Sequence, residues 1–310
     1  MKCIHCGTDS DHNARQAGGA CRECGRRFAF EPKRDRGITD PTFKLAIEAV
    51  SDGGRLAWGD DHLYYEVCRR VRRRRHVHRL LRRPMVSLDR PNFELLLGRW
   101  IDAHGPIVGR LERKVFAEIA PDAAAPRVEA YGFEQLVVCD DDAIADVLLV
   151  NDFHAELKCP VLSYSGYPSH VYEPLIRLLR ERPPATVVVI HNADLDGCRL
   201  ARSIAEDPRW FAGVELPKVV DAGLRPGDAK RFRGLFQVAA SGFDATSPGV
   251  SPQEAKWLGT YRLELAAARP RVLMGVLGNV LRGETEAGST DGGGLLWAGD
   301  AWADGDDEVG

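Results

Sequence analysis

The residues best suited to chemistry lie at the ends of two apolar runs. Asn192, Ala193, Asp194, Leu195, Asp196 and Gly197 follow the run Thr186–Ile190 and lead into an apolar-periodic stretch at 198–205. Upstream, Gln135–Cys139 is a second apolar run, closed by Asp140, Asp141 and Asp142. A continuous apolar run of this length reads as a buried parallel strand, and carboxylates at its C-terminal end are placed to hold a hard cation. Two such ends on adjacent strands can converge on one Mg²⁺, or Mn²⁺ in its place. The chemistry that follows is phosphodiester chemistry on nucleic acid.

A second group has metal-ligand spacing. Cys3 and Cys6 form one Cys-x-x-Cys pair and Cys21 and Cys24 another, with 14 residues between the pairs. Two such knuckles complete a tetrahedral thiolate site for structural Zn²⁺, with no position open for catalysis. His5 sits inside the first knuckle as a bystander. Cys68, Cys139, Cys159 and Cys198 stand singly in apolar segments and read as buried thiols.

The elements that must position these groups follow from periodicity and punctuation. Residues 1–31 are the zinc ribbon and 32–37 a linker. A helix start at Thr39-Asp40-Pro41-Thr42 precedes a short helix at 43–50, a turn at 51–54, a short strand at 56–58 and a helix at 60–71. Helices are expected at 93–104 and 107–119. The region 38–120 is compatible with a winged helix-turn-helix. A basic run crosses it: Arg69, Arg70, Arg72, Arg73, Arg74, Arg75, Arg79, Arg82 and Arg83, nine guanidinium groups over fifteen positions. Planar guanidinium forks bind phosphate bidentately, so the run reads as an electrostatic footprint for DNA or RNA, and otherwise as an exposed linker helix.

From Val128 strands and helices alternate: strands at 135–140, 159–163, 186–190 and 215–220, helices at 143–150, 170–182 and 198–205. This pattern predicts a doubly wound parallel α/β domain over 127–282, with residues 253–281 helical. The tail 283–310 carries eight acids and no Lys or Arg, and reads as disordered. Without it the net charge of −3 becomes +5, so a mildly basic body carries an acidic tail. The chain of 310 residues is 44% hydrophobic and 28% charged, with no bilayer-length apolar run and no secretory signal. A cytoplasmic, nucleoid-associated location is expected.

Five segments in order resemble one family. Leu136 to Ile144, Phe153 to Leu162, Gly166-Tyr167-Pro168, Asn192 to Gly197 and Ala222 to Asp228 are together similar to the TOPRIM domain of the topoisomerase VI A subunit and the meiotic double-strand-break protein. The similarity covers about 135–232, and this chain would be a small, divergent member. The family carries a nucleophilic Tyr on a preceding winged helix, and His62-Leu63-Tyr64-Tyr65 resembles its Tyr pair. The resemblance implies Tyr65 as nucleophile with Tyr64 beside it, and Mg²⁺ held by Asp140, Asn192, Asp194 and Asp196. Asp140 stands where the family has Glu. Asn192 stands where it has Asp, and would ligate through a carbonyl oxygen without charge. It also implies a homodimer on DNA and a GHKL-type ATPase B-like partner. Two alternatives keep the acids and drop the Tyr: a TOPRIM nuclease using metal-activated water, or a degraded DNA-binding and dimerisation module.

Overall fold

The computed structural model describes residues 1–11, 19–35, 37–73, 88–112, 134–211, 213, 215–230, 232, 235–239, 250–284 and 297. The N-terminal segment is two similar loops closed by antiparallel bridges, Lys2 with Asp9 and Ala20 with Arg27. Helix α1 (Asp40–Val50) starts where Thr39 Oγ1 accepts the Thr42 amide at 3.2 Å. Helix α2 (Asp60–Arg73) and helix α3 (Arg90–His104) follow, the latter capped by Asp89 with Pro91 in its first turn. Between α1 and α2 lies β1 (Trp58–Gly59), which pairs in parallel with β2 (Arg110–Leu111).

The main sheet has four parallel strands: β3 (Gln135–Cys139), β4 (Val161–Ser163), β5 (Thr186–Ile190) and β6 (Lys218–Asp221), in the order β4-β3-β5-β6. Successive residues of β3 and β5 face opposite cores. Val137, Cys139, Val188 and Ile190 pack with α4 (Asp142–Val150) and α10 (Pro270–Leu281). Leu136, Val138, Val187 and Val189 pack with α6 (Ser169–Glu181), α7 (Gly197–Glu206) and α8 (Pro208–Phe211). Helices therefore cover both faces. The chain leaves β3 towards β4, then crosses back to β5, so the strand order reverses between β3 and β5. The carboxyl ends of the strands at such a reversal are where doubly wound sheets place their ligands. Short α5 (Phe153–Glu156) and α9 (Pro252–Leu258) complete the helices described, and β7 (Gln237–Val238) pairs antiparallel with β8 (Tyr261–Arg262).

One continuous core runs from Phe30 through Phe43, Trp58, Tyr65 and Trp100 to Val137 and Leu273. The helical region and the sheet share it. Among the described residues no helix is long and apolar enough to cross a membrane.

Two expectations are corrected. The helix expected at 107–119 is instead a turn and then β2 as far as Leu111, with 113–119 outside the described residues. Gly105 ends α3 with φ 89°, and Gly109, with φ 78°, lies against the Leu56 carbonyl while its own carbonyl accepts the Trp58 amide of β1 at 2.9 Å. The single helix expected over 253–281 is broken into α9, β8, a 3₁₀ turn at Leu265–Ala267 and α10. Pro270 starts α10, and the intervening residues bond to the strand ends instead of to one another. In the tail, Trp297 is buried against Phe232, with ring centroids 6.2 Å apart. The remainder of 285–310 lies outside the described residues.

Candidate active site at the strand ends

The four cysteines come together. Their ligand atoms lie within 4.8 Å of one another, with Cys3 Sγ to Cys24 Sγ at 3.7 Å and Cys6 Sγ to Cys21 Sγ at 3.5 Å. Zn–S bonds of about 2.3 Å in a tetrahedron set sulfurs roughly 3.8 Å apart, so the group fits a structural metal such as zinc. Each knuckle repeats one backbone pattern: Gly7 donates to the Cys3 carbonyl and Gly25 to the Cys21 carbonyl. Amides of Cys24 and Glu23 donate to Cys21 and hold its thiol down to about 6, towards the thiolate that a metal needs. His5 is not among these ligands. It accepts from Arg26 at 2.8 Å and meets His104 at 3.2 Å, and His104 donates to Asp40 at 2.8 Å. Asp40, fully buried, also accepts the amides of Ala29 and Phe30. The ribbon is thus docked on α1 and α3.

At the reversal point of the sheet, Asp140 follows β3 and Asn192 follows β5. The Asn192 amide donates to Asp140 Oδ2 at 2.6 Å, and the Asp140 amide donates to the Ile190 carbonyl at 3.0 Å. Asp140 Oδ1 is buried and has no partner among the described residues. Burial pushes this carboxyl up to about 7, although the Asn192 amide and His191 pull against it and Asp194 adds to it. Asp194 is raised too, chiefly by burial, while the Gly197 amide donates to its Oδ1 at 2.8 Å. Asp196 is exposed at the start of α7. Among the described residues Asp140, Asp194 and Asp196 do not lie as close together as the cysteines do. Asn192 Oδ1, the oxygen expected at the metal, accepts the Leu265 amide at 2.7 Å. Asp141 caps α4 through the Ala143 amide, and Asp142 accepts from Ser165.

Beneath these acids lies a charge cluster that the sequence reading missed. His191 is fully buried; its Nδ1 meets the Asn192 carbonyl at 2.7 Å and its Nε2 meets Asp221 Oδ1 at 2.9 Å. Both nitrogens face acceptors, which favours the imidazolium. Burial opposes that charge, but Asp221 outweighs it and the histidine is held above its ordinary value. Burial likewise works against the Asp221 carboxylate, yet His191 and Arg225 hold it well below the usual range. The apolar run before Asp221 marks a third strand end, which is the signal that could have revealed it. Gly223 lies against the imidazole: a Cβ there would sit 2.2 Å from His191 Cδ2. Gly223→Ala is therefore expected to displace the ring, costing about 1–3 kcal/mol, or more if the backbone cannot move. Chemical denaturation checks it; unchanged stability would show that the imidazole has room to shift.

Tyr64 and Tyr65 lie on α2, both buried. Tyr64 donates to the Leu88 carbonyl at 2.9 Å. Tyr65 accepts from Gln237 Nε2 at 2.6 Å, and its phenol is held well above its ordinary value, first by burial and then by the hydrogen-bonded Glu264. Arg90 lies over both rings, at 4.2 Å from the Tyr64 centroid and 5.6 Å from that of Tyr65, and pairs with Glu264 and Asp61. Asp60 is taken by Arg110. Of the basic run, Arg69 and Arg70 are committed to the buried Glu66 rather than turned outward. The side chains of Arg72 and Arg73 and the whole of Arg74, Arg75, Arg79, Arg82 and Arg83 lie outside the described residues.

No family model, curated protein or solved structure matches this chain.

Proposed function

We propose that this protein is a divalent-metal-dependent DNA strand-cleaving protein working at the strand ends of β3 and β5. The observation that carries the reading is Asp140: a carboxylate at the reversal point of a parallel sheet, buried, with one oxygen engaged and the other orphaned. A buried charged oxygen without a partner is costly, and such groups concentrate at functional sites. Mg²⁺ would satisfy it, with Asp140 and Asp194 as the protein's anionic ligands and Asp196 within the same loop. When bound, the metal would supply Lewis-acid stabilisation of charge on the scissile phosphate. The resemblance to TOPRIM segments supports the same assignment, and DNA remains the proposed partner through the ribbon, the 38–120 region and the arginine run.

Metal-activated water is the nucleophile that this geometry favours. Tyr65 is sealed within the core, and its proton is held by burial and by Glu264. One observation favours the transesterification reading instead: the same Glu264 carboxylate that raises the phenol's pKa is hydrogen-bonded to it, and is the group to which that proton would pass once a metal-bound phosphate drew the phenolate charge. That reading brings with it a homodimer and an ATPase partner.

The test is incubation with supercoiled plasmid and Mg²⁺, with and without protease before electrophoresis. Free nicked or linear product supports hydrolysis, and product released only by protease supports Tyr65. No cleavage with Mg²⁺ or Mn²⁺ returns the chain to a binding module. Asp194→Ala is expected to abolish cleavage and leave DNA binding intact. Asp140→Asn is expected to stabilise the metal-free protein at pH 8, because the native carboxyl, raised from its ordinary 3.8 to about 7, resists ionisation. The gain, at most about 4 kcal/mol at roughly 1.4 per pKa unit, should be largest above pH 7 and fade as pH falls towards 3.8. The same variant should lose the Mg²⁺-induced rise in melting temperature.

A further inference from the structure

A second orphaned group stands across from the acids. Ala193 and Leu263 exchange backbone hydrogen bonds of 2.8 and 3.1 Å in an antiparallel bridge. The residues that flank such a bridge lie opposite one another, so Arg262 faces Asp194. The side chain is 37% exposed, and its described partners, Gln237 and Glu264, both meet it at Nη2. Its Nη2 donates to Gln237 Oε1 at 3.1 Å and lies 3.0 Å from Glu264 Oε1. Its Nε is buried and has no acceptor among the described residues. The other cations on this edge are engaged, His191 with Asn192 and Asp221, and Arg225 with Asp221.

Among the described residues the strand ends therefore leave a buried acceptor atom, Asp140 Oδ1, and a buried donor atom, Arg262 Nε, on either side of the Asp194 loop. A metal ion alone would satisfy the first and repel the second. A metal-bound phosphodiester satisfies both, because the cation meets the carboxylate and a phosphate oxygen meets the guanidinium. Arg262 also offsets the negative charge that Asp140, Asp194 and Asp196 would present to an incoming phosphate.

We propose that Arg262 is a phosphate-binding residue, donating from Nε to a non-bridging oxygen of the scissile phosphodiester beside the metal. The proposal rests on the strand-end reading given above. Gln237 and Glu264 are then positioning residues that fix the plane of the fork.

The test compares wild type, Arg262→Ala and Arg262→Lys by single-turnover cleavage of supercoiled plasmid, with Mg²⁺ affinity followed by thermal shift. Arg262→Ala is expected to cleave about 100-fold more slowly, the scale on which a single oxyanion donor acts. Its Mg²⁺ affinity should be unchanged or higher, because a positive charge beside Asp194 is gone. Free guanidinium, well below denaturing concentrations, should restore part of the rate to Arg262→Ala, which loss of a merely structural contact would not allow. Arg262→Lys keeps the charge and should fall between the two. Cleavage by Arg262→Ala within about threefold of wild type, or loss of its Mg²⁺ binding, overturns the proposal while leaving the strand-end site standing. A wild type that neither binds Mg²⁺ nor cleaves overturns the underlying reading, and this one with it.

Discussion

Removing the ribbon metal with a chelator, or replacing Cys6 and Cys24 with serine, is expected to unfold residues 1–31 and leave the parallel sheet folded. Metal binding by four thiolates is worth on the order of 10 kcal/mol or more in small zinc modules, and the folding free energy of such modules is this binding energy. Apart from the metal, these loops are held mainly at their C-terminal end, where Asp40 accepts the Ala29 and Phe30 amides. Their backbone contacts are short bridges and turns, and the apolar anchor is Phe30, tilted against Phe43 at 5.1 Å and stacked on Trp100 at 6.0 Å. Hydrogen exchange should show protection lost in 1–31 and weakened where His5 meets His104, with β3 and β5 unaffected. One metal per chain should be measured before chelation. Collapse of protection across the sheet would mean that the ribbon is integral to the core and not docked on it.

Glu66→Ala is expected to destabilise the whole protein by about 3–5 kcal/mol, the range for breaking a buried ion pair from one side. The carboxylate is 1% exposed and gathers three cations: Arg69, Arg70 at 3.1 Å and Arg269 at 3.0 and 3.1 Å. Arg69 also donates to the Ala267 carbonyl at 2.8 Å. One side chain thus ties α2 to the turn before α10. Burial works against the charged carboxylate, but Arg69 and Arg269 outweigh it and the native group lies below its ordinary 4.5. A carboxylate lowered on folding contributes stability above its unfolded value and loses it as pH falls through the native one. The wild type should therefore weaken on acidification below about pH 4.5, and Glu66→Gln should show a flatter profile there. Equal acid sensitivity in the two would remove Glu66 from the account.

The sheet was legible because its strands are buried on both faces. Thr186–Ile190 and Gln135–Cys139 have nothing polar to hide, so each reads as an unbroken apolar run, and a parallel strand of that kind ends where the first acid appears. The cysteine spacing was legible because a knuckle is local. The Tyr65 environment was not. Gln237 reaches Tyr65 from 172 positions away, and Arg90 reaches Glu264 from 174, and no periodicity encodes such meetings. Arg69 and Arg70 were read by composition as part of a phosphate-binding surface. Composition cannot show that Glu66, one turn earlier on the same helix, buries them. The break in residues 253–281 was likewise invisible, because the backbone of Leu263 and Leu265 finds its partners in Ala193 and Asn192. Gly259, which ends α9, and Pro270, which starts α10, were the local signs of the break.

That last pairing has a consequence for synthesis. A ribosome that has delivered residues 1–258 has made all four strands, both acid-bearing loops and the tyrosine pair. It has not yet made the segment that clamps Asn192, pairs with Ala193, sets Arg262 opposite Asp194 and anchors α2 through Arg269. The strand ends lack these partners until residues 259–282 emerge. A copy that lacks residues 259–282 is therefore expected to be inert in any cutting.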